Sequence, residues 1–262
     1  MRTLTLLLVS FPVLACAGDT PAPADEEPTQ ASAFQDADVQ RIHSRMMEAM
    51  APGDRWNAAR YLEFDWMVAR GDDPPLRRSH RLDRWEGRVR VDAPTSAGPM
   101  MALFPLDDPS QGRVWLDGEE QMGEGADTLL ARANSIHIND AYWLLMPYKW
   151  TDPGVQARFL GAETTDDGRE WEVVELSFQE VGLTPQNVYR AFINPASGLM
   201  ERWHYLANQD ADPSPSDWTD WTQFGPIRLS VTRTVDGVPR IYFENVRVET
   251  EVPEGAFAPP GS

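Results

Sequence analysis

The chain has 262 residues, 42% hydrophobic and 24% charged, which suits a globular protein with one large domain or two small ones and excludes wholesale disorder. Its 41 acids against 23 bases give a net charge of −18, the wrong sign for a nucleic-acid surface. A single cysteine excludes any internal disulfide and any cysteine-cluster zinc site.

At the N-terminus Arg2 precedes Leu4–Leu14, an apolar run broken only by Thr5, Ser10 and Pro12. That run falls short of the ~20 residues a membrane-spanning helix needs and matches the apolar part of a signal peptide. It ends Val13-Leu14-Ala15-Cys16, on the only cysteine of the chain, and resembles a bacterial lipobox. The resemblance implies a lipoprotein signal peptide over residues 1–15 and acylation of Cys16. It also implies a membrane anchor that holds the protein in the bacterial cell envelope, facing the periplasm. An ordinary secretory signal with an incidental cysteine is the alternative. Ala17 stands where an inner-membrane retention signal would place aspartate, which points to the outer membrane. Over residues 16–33, Pro21, Pro23 and Pro28 alternate with Asp19, Asp25, Glu26 and Glu27, and no large apolar residue occurs. Such a segment buries too little surface to offset its ordering entropy, and it reads as a disordered tether reaching roughly 50 Å at ~3.1 Å per residue.

Residues 34–262 show no repeat and no second linker, and they read as a single domain. Val39, Ile42, Met46 and Met50 recur at helical spacing behind Asp36 or Asp38, until Pro52-Gly53 stop the pattern. Tyr61–Val68 then alternates as a strand, with Leu62, Phe64, Trp66 and Val68 on one face. His80–Asp92 reads as a single longer strand carrying Trp85, Val89 and Val91 on one side. Met100–Leu106 and Arg113–Leu116 are shorter strands. A helix follows over 126–136, and a second is expected where Asp140 caps Ala141–Met146 and Pro147 ends it. From Val155 the pattern is a meander: Ala157–Glu163, the turn Asp167-Gly168, Trp171–Phe178, Val188–Asn194, the turn Pro195–Gly198, and Leu199–Leu206. A polar loop over Asn208–Asp217 precedes a last hairpin, Ile227–Val235 and Arg240–Val252, turning at Asp236-Gly237. Many strands place large apolar residues on one face and a mixture on the other. The class is therefore α+β, a curved antiparallel β-sheet with one wet face and one face covered by helices.

The run from Asp140 to Trp150, with Asp152-Pro153-Gly154-Val155 and Phe159-Leu160-Gly161, is distinctive. So are Leu176-Ser177-Phe178, Val181–Pro185, Ile193–Leu199 and Arg202-Trp203. Together they resemble a bacterial envelope lipoprotein family similar to the lipoprotein-localisation factors (LolA/LolB-like), over roughly residues 36–258. The resemblance implies a half-barrel with helices packed on its concave face, where related carriers hold acyl chains. A lipobox fits the membrane-anchored members better than the soluble carrier, but the anchored receptor's protruding apolar loop is not recognisable here.

Catalytic patterns are not found in the sequence. His43, His80, His137 and His204 are widely spaced, with His137 and Asp140 the only close pair, and no paired zinc motif occurs. There is no Gly-x-Ser-x-Gly elbow and no glycine-rich phosphate loop, so no catalytic residue, metal or cofactor is assigned. One anomaly breaks the acidic background: Arg77, Arg78, Arg81, Arg84, Arg88 and Arg90 lie within fourteen residues. Placed on one strand face, Arg84, Arg88 and Arg90 would form a patch for an anionic headgroup or acidic partner; pairing with acids on neighbouring strands is the alternative. The aromatic and aliphatic candidates for an apolar cavity are Trp66, Trp143, Leu144, Leu176, Phe178, Phe192 and Trp203, which could equally fill it. The expected function is binding or carrying a hydrophobic small molecule or lipid, with an envelope protein as a further partner and no nucleic acid. The alternatives are an assembly lipoprotein with a filled interior and an enzyme acting on an envelope substrate.

Overall fold

The computed structural model describes residues 34–165, 168–179 and 182–261. The expected signal peptide (1–15), Cys16 and the tether (16–33) lie outside them, as do Asp167 and Val181. Helix α1 (Ala37–Met50) begins where the Asp36 carboxylate accepts hydrogen bonds from the backbone N–H groups of Asp38 and Val39, at 2.9 and 3.3 Å. Its Val39, Ile42, Met46 and Met50 are all buried, the face that the spacing predicts. A short helix, α2 (Arg55–Ala58), then leads into the sheet.

The first meander comprises β1 (Tyr61–Arg70), β2 (Asp73–Asp83), β3 (Arg88–Thr95), β4 (Gly98–Pro105), β5 (Arg113–Leu116) and β6 (Glu119–Glu120). Helix α3 (Gly123–Leu145) follows. The second meander comprises β7 (Val155–Thr164), β8 (Glu170–Phe178), β9 (Val188–Ile193), β10 (Met200–Leu206), β11 (Ser214–Phe224), β12 (Ile227–Val235) and β13 (Val238–Glu249). Strands β1 and β13 pair antiparallel, Tyr61 against Glu249 and Val68 against Ile241, and fuse the two meanders. The described residues thus form a 13-stranded antiparallel sheet in the order β6-β5-β4-β3-β2-β1-β13-β12-β11-β10-β9-β8-β7.

This topology places the two sheet edges on either side of α3 in sequence: the helix leaves edge strand β6 and the chain re-enters at edge strand β7. Thirteen strands laid flat would span about 58 Å at ~4.8 Å each. The 23 residues of α3 extend only about 35 Å at 1.5 Å per residue. The sheet curls around the helix, and α3 contacts β3, β4 and β5 on one side and β12 on the other, while α1 covers β7 and β12. The result is a curved half-barrel with helices on its concave face. The main core fills that face, from Val89, Val91 and Phe104 through Leu130, Leu144 and Leu145 to Trp203 and Trp218.

Three local expectations are corrected. Residues 80–92 are two strands, not one. The Asp83 carboxylate accepts from the N–H groups of Trp85 and Glu86, Gly87 takes a positive φ of 61°, and the chain reverses. Trp85 sits at that turn 60% exposed instead of beside Val89 and Val91. The helix expected to start at Asp140 is the second half of α3, which runs unbroken through residues 137–140. The Asp140 side chain is engaged by the sheet, as described below, and does not cap an N-terminus. Residues 214–217, read as loop, open strand β11. Its Trp218 and Trp221 are separated by polar residues, and Pro215 disguises the start.

Candidate functional site

Strand alternation decides which aromatics reach the concave face. On β9, Ala191 and Ile193 belong to the main core while Phe192 packs with Trp171 and Val173 in a separate cluster. On β10, Trp203 stands opposite Ala191 and His204 opposite Arg190, so Trp203 points in and His204 out. Helix α3 supplies Ile138, Tyr142 and Trp143, the first two one turn apart on one stripe. These rings meet: Trp143 and Trp203 centroids lie 4.4 Å apart, Tyr189 and Trp203 4.9 Å, Tyr142 and Tyr189 5.2 Å. Phe178 completes the set, edge-on to Tyr142 at 6.1 Å and to Tyr189 at 5.8 Å.

Packing does not close over this cluster. A cavity of about 500 Å³ remains between the C-terminal half of α3 and the β8–β13 part of the sheet. That lies within the ~300–1,000 Å³ typical of small-molecule sites. Tyr142, Trp143, Phe178, Tyr189, Trp203 and Tyr205 form its aromatic walls, and Asn187, Ser216 and Arg233 supply buried polar groups. Leu183, Thr184, Ser214, Pro215 and Arg240 are exposed lining residues that make the rim. Burial pushes the Tyr189 phenol up to about 12 and the Tyr142 phenol well above its ordinary range, so both stay neutral hydroxyls. No aspartate or glutamate occurs among the described lining residues.

Arg233 is the unusual member, with no solvent exposure and, among the described residues, no carboxylate partner. Its guanidinium donates to the Trp143 carbonyl from Nε at 3.1 Å, and from Nη1 to the carbonyls of Ser230 and Thr232 and to the Ser230 hydroxyl. It lies 3.4 Å over the Trp218 ring, and burial moves its pKa well below the usual arginine value.

Of the residues singled out from sequence, Trp143, Phe178 and Trp203 line the cavity. Leu144 and Leu176 are packed solid in the core, each 1% exposed, and Trp66 lies under the Arg78 guanidinium at 4.0 Å. Phe192 faces the opposite side of the sheet, because it shares the parity of Arg190. Tyr142, Tyr189, Tyr205, Asn187 and Arg233 were not singled out. Tyr189 was legible by its two-residue spacing from Ala191 and Ile193, but nothing local marks Arg233 as a buried cation.

The arginine stripe is dispersed. Arg84 turns inward, donating to the carbonyls of Trp56 and Ala59 at 2.6 Å and stacking 3.4 Å over Trp56, and burial lowers it to about 10. Arg88 pairs with Asp83 at 2.9 Å, and Arg90 grips Asp92 through two bonds of 2.7 and 3.0 Å. The three do not share a face, since Arg84 belongs to the turn. His137 does not pair with Asp140. The buried partner is His80 of β2, its Nε2 2.9 Å from Asp140 Oδ2, with Arg78 Nε at 3.0 Å from the same oxygen. Among the described residues no group of three or more metal-ligating side chains occurs.

No protein-family model matches the chain, and no curated protein matches it. Several solved structures are similar. One is a DUF1329 family protein from Desulfovibrio piger, 12% identical, with 84% of this chain and 96% of that one covered and a TM-score of 0.47. A LolA superfamily protein from Nitrosomonas europaea is 14% identical over 83% of this chain and 96% of its own, TM-score 0.47. An outer membrane lipoprotein-sorting protein domain from Vibrio parahaemolyticus is 9% identical over 83% and 95%, TM-score 0.45.

Proposed function

We propose that this protein binds a hydrophobic guest, a lipid or an acyl chain, in the aromatic cavity, and that it does so tethered through Cys16 to a membrane of the bacterial envelope. The observation that carries the reading is the cavity itself: about 500 Å³ left open between helix and sheet, walled by aromatic rings in mutual contact. An apolar guest that enters releases water from the aromatic lining. Each methylene it buries contributes ~0.8 kcal/mol before ordering costs, so a chain of about ten carbons gains roughly 8 kcal/mol. Uptake and release then run on burial, with no covalent step. The lipobox ending at Cys16 supplies the tether, and the motifs between residues 140 and 206 point to the same class of envelope protein.

Native mass spectrometry of the full chain carrying Cys16→Ser tests this reading. A co-purified lipid mass, or stoichiometric uptake of a fluorescent fatty acid, is the expected result. A clean apo mass together with no uptake would overturn it.

A further inference from the structure

The charge of the cavity is opposite to that of the chain. With 41 acids against 23 bases, an arbitrary patch of this surface is acidic, yet the described cavity lining holds two arginines and no carboxylate. Arg233 is the first. Its donors are engaged by carbonyls and a hydroxyl, which satisfy hydrogen bonds without neutralising charge. Arginine keeps its proton even where burial lowers its pKa, so a positive charge stands beside the cavity in a medium of low dielectric, where its field reaches further than in water.

Arg240 is the second. Across the β12–β13 pair, Arg233 faces Ile241 but Thr234 faces Pro239, so a bulge leaves Arg240 without a cross-strand partner. Bulges re-aim side chains, and this one delivers an exposed guanidinium to the cavity rim. Among the described residues Arg240 makes no ion pair, whereas Arg60, Arg81, Arg113, Arg158 and Arg202 each hold a carboxylate. An unpaired arginine in so acidic a chain has its fork of donors free for a carboxylate or phosphate from outside.

We propose that the cavity selects anionic amphiphiles, the apolar chain lying against Tyr142, Trp143 and Trp203 and the negative head held by Arg240 at the rim. The inference rests on the reading of the cavity as a binding site and adds the class of guest. A cationic amphiphile is the opposing outcome, because aromatic walls alone would attract a quaternary ammonium.

The test is displacement of the neutral probe N-phenyl-1-naphthylamine from the full chain carrying Cys16→Ser, below micellar concentrations, by four twelve-carbon competitors. These are dodecanoate, dodecyl phosphate, methyl dodecanoate and dodecyltrimethylammonium. The anions are expected to displace the probe at concentrations about tenfold below the methyl ester, with the ammonium weakest. The better of the two anions distinguishes a carboxylate head from a phosphate head. Arg240→Gln is expected to bring anion and ester within about threefold of each other. Arg113→Gln, which removes the same charge from β5, keeps the anion preference. Equal displacement by ester and anions, or a preference for the ammonium, overturns the proposal and leaves a binding cavity for apolar guests standing. A probe that never binds overturns both.

Discussion

Two histidines carry a pH dependence that their surroundings dictate. His137 on α3 is 4% exposed, its ring 5.7 Å from that of His80 and 6.3 Å from Phe104. Burial, with smaller contributions from the neighbouring His80 and from Lys149, pushes its pKa down to about 3, and burial alone takes His43 on α1 down to about 4. Both fold neutral, while in the unfolded chain they titrate near 6.5. Below that value the unfolded state binds more protons, so stability falls with pH, through the window from about 6.5 to about 4 for His43 and to about 3 for His137. At pH 5 each costs about 2 kcal/mol relative to pH 7. Urea unfolding at the two pH values is expected to show that loss, and His137→Leu to remove about half of what these two histidines contribute. An unchanged difference between pH 7 and pH 5 in the variant would show that His137 is solvated. The same surroundings explain what sequence hid at this scale. A reader of Asp140 sees a helix cap, because the residues that claim it, His80 and Arg78, arrive from β2, about sixty positions earlier.

At the scale of elements, turns set what each strand can do, and two glycines show the difference. Gly225 joins β11 to β12 with φ +49°, and a Cβ placed there would clash with the backbone oxygen of Val248 on β13. Gly237 joins β12 to β13 with φ +74°, but open space surrounds its missing Cβ. Gly237→Ala therefore meets only left-handed strain, about 1 kcal/mol, whereas Gly225→Ala adds a clash that only movement of β13 relieves, at about 3 kcal/mol or more. Chemical denaturation of the two variants side by side checks the ordering, and equal losses would show that β13 yields freely. Strong turn signals made the second meander legible: Asp236-Gly237 and Pro195–Gly198 mark its hairpins, and the strands from 155 to 206 and 227 to 249 follow. What failed was each element whose stability comes from elsewhere. The 73–79 half of β2, with Pro74, Pro75, Arg77 and Arg78, has no strand character of its own and is held by pairing with β1. Strand β11 likewise exists because β10 and β12 supply both neighbours.

At the scale of the whole molecule, the half-barrel is filled unevenly, and the difference between its two ends carries the functional reading. Where α3 crosses β3, β4 and β5, side chains from Val89, Val91, Phe104, Leu130 and Ala133 are buried together in the main core. Toward β8–β13 the helix presents Ile138, Tyr142 and Trp143, and the space persists. Sequence periodicity marks the apolar side of each element but carries no measure of how far two faces stand apart. Trp143, Phe178 and Trp203 were therefore recognisable as interior residues, while the cavity, and the exclusion of Leu144 and Leu176 from it, were not. Two substitutions on α3 separate the regions. Ile138 is a half-buried lining residue, and Ile138→Trp directs an indole into the cavity, so stability in urea is expected to stay within about 1 kcal/mol of wild type while uptake of a fluorescent fatty acid falls at least about tenfold. Leu144→Ala opens a hole in a close-packed region and costs about 2–5 kcal/mol, while uptake persists in the folded fraction. Should Ile138→Trp bind its guest as well as wild type, the space beside that residue is not where the chain sits.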